Sequence, residues 1–592
     1  MSIKKPAVDV VCVGFGMTNA IAAQELTEDN LHVVALERGN WRNTSPDFAY
    51  PKNTDELKWD TRHKLQMDLS KSTITFRNRP HQKALPMRHL GSFLPGSGAG
   101  GSMVHWSGQN WRASPNDLRY RSWLEENYGA DFIPDEMTIQ DWGVSYEELE
   151  PYYAKFELMC GISGKAGNLN GEIQAGGNPF EGPRSGEYPL PPLTQPHSCE
   201  VFNDAAKSLG LHPFPGPAAQ TSKPYRNIYG VEMQACTYCG FCSHYGCYNN
   251  SKASPQACIH PALMPKPNFE LRCNAHVTRV LLSEDGKRAT GVEYMDADGQ
   301  LIEQPADIVI IGAFALFNVH LLLKSGIGEP YNYEKQTGVV GRNYAYQALT
   351  NATVFFKDKT FNRFVGAGGL GSCVDDYQTT QLEHDKLGFI GGTYLATWQG
   401  GAAPIAATPV PDKVKNWGSG WKQAVTQYYD SHLSINSSGS VMSYRSAFLD
   451  LDPTYKDEFG EPLLRMTFDF YENEQKMSRY AMQQVKQIAQ AMSPEHIDVH
   501  QLNVPYDIVP YQSTHNTGGA IMGSDPRTSV VNKYLQVWDV PNVFVPGASA
   551  FPQNFAYNPT GTVGALTYFM VDAIRHKYLK APGPLVSTEE IA

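Results

Sequence analysis

Four cysteines stand within twelve residues as Cys236-x2-Cys239-x2-Cys242-x4-Cys247. Thiolates at such spacing can wrap one small inorganic core, either an iron–sulfur cluster or a zinc ion. Zinc sites built from CxxC pairs usually separate the pairs by a longer loop. Here three short spacings overlap, which favours the cluster and leaves zinc, disulfides or free thiols as the alternatives. The other six of the ten cysteines are scattered, so a local metal site is expected rather than a disulfide framework. Two more residues with usable chemistry sit in glycine-bracketed turns near the end of the chain. His515 lies in Ser513-Thr514-His515-Asn516-Thr517-Gly518-Gly519, and Asn558 lies in Tyr557-Asn558-Pro559-Thr560-Gly561. A histidine, titrating near ~6.5 when unperturbed, suits the removal of a hydroxyl proton. An asparagine can hold the oxygen by hydrogen bonding. The plainer alternatives are a capping or core histidine and a turn asparagine before proline.

A third signal lies at the start of the chain. Val8 to Val13 reads as a buried strand, Gly14-Phe15-Gly16 as a tight turn, and Ala20, Ile21, Ala23 and Leu26 as the apolar side of a helix. Leu31 to Leu36 reads as a second strand, ending at Glu37. Such a unit lets backbone approach a pyrophosphate and aims a helix N-terminus at it, while the acidic residue accepts from a ribose hydroxyl. Asn19 stands where the third glycine of the pattern is usual, and an ordinary β-α-β start is the alternative.

Further along, residues 91–112 form a glycine-rich loop with an aromatic and basic tail, and residues 115–235 read as loops and short helices. Strands are expected over 269–282, 290–296 and 308–311, followed by a helix in LFNVHLLLKSG. Strand-like runs follow at 353–356, 388–397 and 463–470. Met477, Ala481, Val485, Ile488 and Met492 recur at helical spacing, and a last apolar helix is expected near 563–578.

At 592 residues the chain is too long for one core, so two lobes are expected. A net charge of -11 excludes the basic footprint of a nucleic-acid binder. No apolar run approaches the ~20 residues that span a bilayer. The apolar stretch after Lys4 and Lys5 is short and runs into the Gly14 turn, so it reads as a strand rather than a signal peptide.

Several phrases together resemble the glucose–methanol–choline (GMC) oxidoreductases. They are the Gly14 turn, GAGGSMVHWSG, IVIIGAFALFNVHLLLKSGIG and VPGASAFPQNFAYNPTGTVGAL, and the likeness runs in order from residue 8 to about 578. Within that family, TIQDWGVSYEELEPYY, SKASP, FLDLDPTYK and THNTGGAIMG resemble the sugar-acid dehydrogenases that act on gluconate or 2-ketogluconate. The resemblance implies an α/β, two-lobed fold. A Rossmann-like FAD-binding domain is expected over 1–45, 85–115, 235–345 and 505–592. An α+β substrate domain with an antiparallel sheet is expected over 46–84, 116–234 and 346–504, and the cysteine-rich loop projects from the first. It implies FAD contacts from Gly14, Gly16, Asn19, Glu37, Arg38, Gly100, Gly101, Ser102, His105, Trp106, Val277, Gly547, Ala548 and Thr560. Val277 is expected to hold the adenine through its backbone, and His105 to carry a covalent bond to the flavin 8α-methyl. His515 is implied as the catalytic base with Asn558 as its partner. The resemblance further implies a 3Fe-4S cluster on Cys236, Cys242 and Cys247, with Cys239 spare. Arg112, Arg342 and His244 are the cations that could meet a substrate carboxylate. The implied partners are a small subunit with a twin-arginine signal and a membrane-attached multi-haem cytochrome c. The chain, with no signal of its own, would then reach the periplasmic side of the inner membrane bound to the small subunit. A neutral sugar or polyol dehydrogenase, an oxygen-using oxidase and a non-catalytic electron-transfer subunit are the competing readings.

Overall fold

Five of the six side chains of Val8–Val13 are apolar and the strand is buried on both faces, the pattern of an interior strand in a parallel layer. In the computed structural model it lies between Val33–Glu37 and Leu301–Ile311, parallel to both. Phe269–Cys273 adds in parallel beyond Val33–Glu37. Past Leu301–Ile311 the sheet continues as an antiparallel meander through Ala289–Met295 and His276–Leu282. The structure describes residues 2–48, 65–89, 91–401, 408–502 and 504–587. Residues 49–64 of the segment expected in the second lobe lie outside the described residues, as do residues 588–592 of the first.

The strand expected over 269–282 is two strands. Asn274 breaks it with φ +53°, and the halves join opposite ends of the sheet order. The short strand expected at 308–311 extends back to Leu301, because its first half pairs in the meander and its second half in the parallel layer. The segment 115–235 contains more helix than its weak periodicity implied. Tyr146–Cys160 runs for 15 residues behind a capping box made by Ser145 and Glu148. It packs on Thr560–Ala573, which in turn packs on Met17–Glu28. Its Glu157 is buried between two guanidinium groups, Arg112 at 2.8 Å and Arg184 at 2.5 Å.

A second sheet is antiparallel throughout. Its order is His496–His500, Ala348–Phe355, His432–Gly439, Thr393–Trp398, Gly371–Val374 and Phe214–Pro215. The strand expected from residue 388 begins only at Thr393, since Gly388 and Gly391 adopt positive φ. The amphipathic helix Glu472–Ala491 lies across this sheet, with Met477, Ala481, Val485 and Ile488 buried. The mixed sheet and the antiparallel sheet thus form the two walls between which a cleft can lie.

One buried ring ties the Gly14 turn to its surroundings. His260 stacks between Phe15 (5.0 Å between centroids) and Trp41 (5.3 Å), and neither ring nitrogen has a partner among the described residues. Burial pushes its pKa down to about 3. Because the unfolded value is near ~6.5, the stability held by the neutral ring is full above that pH and is lost as pH falls toward the folded value. His260→Phe keeps the stack and removes two unpaired nitrogens. Thermal unfolding should show a gain on the order of 1 kcal/mol at pH 7 and a shallower loss of stability between pH ~6.5 and ~3. An unchanged acid-side slope would show that His260 does not contribute to it.

Candidate active site

A cavity of about 540 Å³ runs between the two sheets, large enough for a cofactor or drug-sized ligand. One end is walled by Gly14, Gly16, Glu37, Arg38 and Val277, the other by His515 and Asn558. At the first end Gly14 has φ +83°, and a Cβ there would come within 2.8 Å of the Gly312 carbonyl oxygen, so only glycine fits. Gly16 occupies the N-cap of Met17–Glu28 and no side chain closes the first turn. The uncapped N–H groups therefore face the cavity, the arrangement that receives a phosphate. Glu37 is buried. Its Oε2 accepts from Phe15 N at 2.9 Å, and its Oε1 from Gly39 N at 2.8 Å and Gly98 N at 3.0 Å. One lone-pair direction on the carboxylate is left for a ligand hydroxyl. Arg38 lies over the Phe317 ring at 4.6 Å.

Asn19 and Gly100 do not line the cavity. Asn19 Nδ2 donates to the carbonyls of Val13 and Gly14, both at 2.8 Å, and so binds the helix to the strand end. The place of the usual glycine is thus taken by a side chain that closes the turn by hydrogen bonds. Gly100 donates to the Phe15 carbonyl at 2.8 Å and brings Gly101 and Ser102 to the cavity wall. Gly547, Ala548 and Thr560 also line it, with Thr560 opening the helix Thr560–Ala573.

His105 and Trp106 also line the cavity. One imidazole nitrogen of His105 meets the Leu94 carbonyl at 3.0 Å, and the other is buried with no partner among the described residues. Burial, together with Lys252, holds its pKa down at about 4, so the ring is neutral. The Trp106 indole N–H donates to the Ala253 carbonyl at 2.8 Å.

At the far end Asn558 Nδ2 donates to His515 Nε2 at 3.2 Å and to Gln109 Oε1 at 3.1 Å. Its Oδ1 accepts from the Tyr394 hydroxyl at 2.9 Å. On the other side of the imidazole, Nδ1 meets Gln347 Oε1, and Gln347 Nε2 is anchored on the Ala556 carbonyl at 2.5 Å. An amide oxygen can only accept, so Nδ1 carries the proton and Nε2 keeps its lone pair. Burial lowers the His515 pKa to about 4, which leaves Nε2 available as a base at neutral pH. Gln109, Gln347, Tyr394, Asn436 and Ser438 also face this end of the cavity. They escaped sequence reading because they come from four separate stretches that only the second sheet and the loop after Trp106 assemble.

Of the three candidate cations, only His244 lines the cavity. Arg112 is committed to Glu157 and Glu150, and Arg342 lies off the cavity wall beside Tyr331. The cysteine loop runs beside His105 and Trp106, and its Ser243 and His244 line the cavity with them. Cys236, Cys239, Cys242 and Cys247 are all free, and each of Cys236, Cys239 and Cys242 has its pKa raised, first by burial and then by neighbouring thiols of the group. Among the described residues no three His, Cys, Asp or Glu side chains meet closely enough to ligate a metal as they stand. The donors are therefore gathered in one loop without being drawn onto a common centre.

The fold and this cavity define a dinucleotide-binding architecture with a buried histidine–asparagine pair in the same cavity, and the comparisons with known proteins place it. GMC oxidoreductase patterns match residues 189–348 and 444–567. The chain is 51% identical to the gluconate 2-dehydrogenase flavoprotein of Pantoea cypripedii, over 98% of this chain and 95% of that protein. It is 25% identical to the fructose dehydrogenase large subunit of Gluconobacter japonicus, over 97% and 99% of the two chains. Among solved structures, pyridoxine 4-oxidase from Mesorbium loti superposes with a TM-score of 0.60 at 16% identity, covering 96% of this chain and 99% of that one. The chain belongs to the GMC oxidoreductases.

The His515–Gln347 contact makes a measurable statement about pH. Gln347→Glu places an anion on Nδ1 and should raise the His515 pKa, so the acid limb of the kcat profile moves to higher pH. Gln347→Leu releases the tautomer and should cost about 10²-fold in kcat, against 10²–10⁴-fold for His515→Ala (on the order expected for loss of a base). A Gln347→Glu profile that overlays the parent would remove Gln347 from the control of His515.

Proposed function

We propose that this chain is the flavoprotein subunit of a dehydrogenase that oxidises a carbinol of gluconate or 2-ketogluconate to the ketone. The observation that carries this reading is the His515–Asn558 pair. A neutral imidazole with its lone pair directed at an amide stands at one end of a cavity that begins at a dinucleotide turn. The 51% identity to a gluconate 2-dehydrogenase flavoprotein supports the substrate class. When bound, FAD would supply the hydride acceptor. His515 Nε2 takes the hydroxyl proton. Asn558 Nδ2 and the Gln109 amide orient the substrate oxygen, which fixes the direction in which the carbon–hydrogen bond points. Glu37, Gly14, Gly16 and the helix N-terminus at Met17 would hold the nucleotide part, and the backbone of Val277 would hold the adenine. The unpartnered nitrogen of His105 is the atom available for a bond to the flavin methyl.

The side chains in hydrogen-bond contact with His515 and Asn558 among the described residues are Gln109, Gln347 and Tyr394, none of them a cation. That observation favours, as a second reading, a neutral sugar or polyol substrate recognised by amides and hydroxyls. For the cysteine loop we propose a 3Fe-4S cluster on Cys236, Cys242 and Cys247, passing electrons one at a time to a cytochrome. The support is the spacing and the gathering of four free thiols in one loop that reaches the cavity at Ser243 and His244.

An anaerobic titration of the purified holoenzyme with gluconate, 2-ketogluconate, fructose and sorbitol tests the reading. Bleaching of flavin by a sugar acid is expected, together with about three irons per chain and yellow colour retained on a His105 peptide after acid precipitation. Bleaching by polyols alone would select the second reading, rapid peroxide release on air would select an oxidase, and absence of iron would remove the cluster.

For location, we propose that the chain folds in the cytoplasm and reaches the periplasmic face of the inner membrane with a small subunit bearing a twin-arginine signal, where a multi-haem cytochrome c holds it. Among the described residues no helix is long and apolar enough to cross a membrane, so the anchor is assigned to the partner. Cell fractionation should find the chain cytoplasmic when the small subunit is deleted and released from the membrane when the cytochrome is deleted. A membrane-bound chain in the absence of both would overturn this assignment.

A further inference from the structure

Lys252 is wholly buried, yet among the described residues no carboxylate lies within ion-pair distance of its ammonium. An isolated buried charge is strongly disfavoured unless every proton finds an acceptor. Here all three do. Nζ donates to the carbonyls of Trp106, Cys242 and Tyr245, each at 2.8 Å. Those carbonyls belong to different parts of the molecule. Trp106 is in the segment after the glycine-rich loop, whereas Cys242 and Tyr245 are in the cysteine loop and flank Ser243 and His244, which also line the cavity. The tie is reciprocal. The Trp106 indole donates back to the Ala253 carbonyl beside Lys252, and the backbone N–H of His244, inside the cysteine loop, donates to the His105 carbonyl at 2.7 Å. A single ammonium therefore ties two segments of the cavity wall together, His105–Trp106 and the part of the cysteine loop that carries Ser243 and His244. Its charge is felt on both sides. It contributes to the low pKa of His105 on one side and counts as the neighbouring cation of Cys242 on the other.

We propose that Lys252 is a positioning residue that locks the cysteine loop onto the His105–Trp106 segment and places one positive charge between the two redox-bearing regions. This rests on the reading that FAD fills the cavity, and its charge effect on the flavin does not require the cluster. The anchoring follows from geometry, because no neutral side chain of that length offers three donors to three carbonyls. The charge effect follows from electrostatics. Reduction adds negative charge, and a fixed cation in a low-dielectric setting stabilises the reduced form more than the oxidised form. Removing the charge should make the flavin harder to reduce.

The test uses holoenzyme carrying Lys252→Met, Lys252→Gln or Lys252→Arg. Two readouts are needed: the flavin midpoint potential by dye-equilibrated titration, and the alkylation rate of Cys236, Cys239, Cys242 and Cys247 by iodoacetamide with peptide mass spectrometry. Lys252→Met should lower the potential and raise alkylation of the loop thiols. Lys252→Arg, which keeps the charge, should restore the potential toward the parent value. Lys252→Gln, which keeps donors without charge, should lower the potential with less thiol exposure than the Met variant, and it carries the comparison if Lys252→Met does not fold. A merely structural lysine would change thiol exposure and leave the potential of the folded Gln variant where it was. Parent-like potential and parent-like alkylation in Lys252→Gln would overturn the proposal. If the parent enzyme contains no iron while the Lys252 variants still shift the flavin potential, the cluster reading fails and the role of Lys252 stands.

Discussion

The carboxylate of Glu37 accepts three backbone N–H groups, from Phe15, Gly39 and Gly98, and the geometry of the cavity depends on it. Those groups belong to the phosphate-type turn, the end of the second strand and the glycine-rich loop. None of the three segments can settle independently of the others while a buried anion requires all three donors. Gly100 then adds to the Phe15 carbonyl, Asn19 closes the turn from the helix side, and Asn318 bridges from Ala313 N to the Pro546 carbonyl and Ser549. The result is a set of backbone turns held open toward a ligand, with side chains used mainly as braces.

The far end of the cavity follows a different logic. Its groups are neutral: Gln109, Gln347, Tyr394, Asn558 and a histidine whose burial keeps it uncharged at neutral pH. The role proposed for His515 asks for an unprotonated ring that is aimed. Burial lowers the pKa of the ring and the Gln347 amide orients it. A carboxylate in place of Gln347 would orient the ring equally well but would favour the imidazolium. The choice of an amide is therefore consistent with a base whose working range extends well below neutral pH.

The cysteine loop and the His105–Trp106 segment meet through Lys252, which donates to carbonyls of both. The thiols sit close enough to raise one another's pKa yet do not converge on a common point.

The sequence by itself determined whatever is local. The Val8–Glu37 unit, the cysteine spacing, the helices near 477–492 and 563–578 and the turns holding His515 and Asn558 all follow from periodicity and turn chemistry within short windows. The motif phrases also pointed to the family, because they recur in order along almost the whole chain. Tertiary structure alone decided what depends on distant segments meeting. It divided 269–282 between two ends of one sheet at Asn274. It showed that Asn19 braces the turn instead of facing the cavity, and that Arg112 is bound to Glu157 and Glu150 and so removed from any substrate. It also brought Gln347, Gln109 and Tyr394 to His515 and Asn558 from elements far apart in the chain. Periodicity and spacing carry information about one strand or one helix face. A hydrogen bond between residues some 170 positions apart, such as that of His515 with Gln347, exists only once the sheets have packed, so no local pattern encodes it.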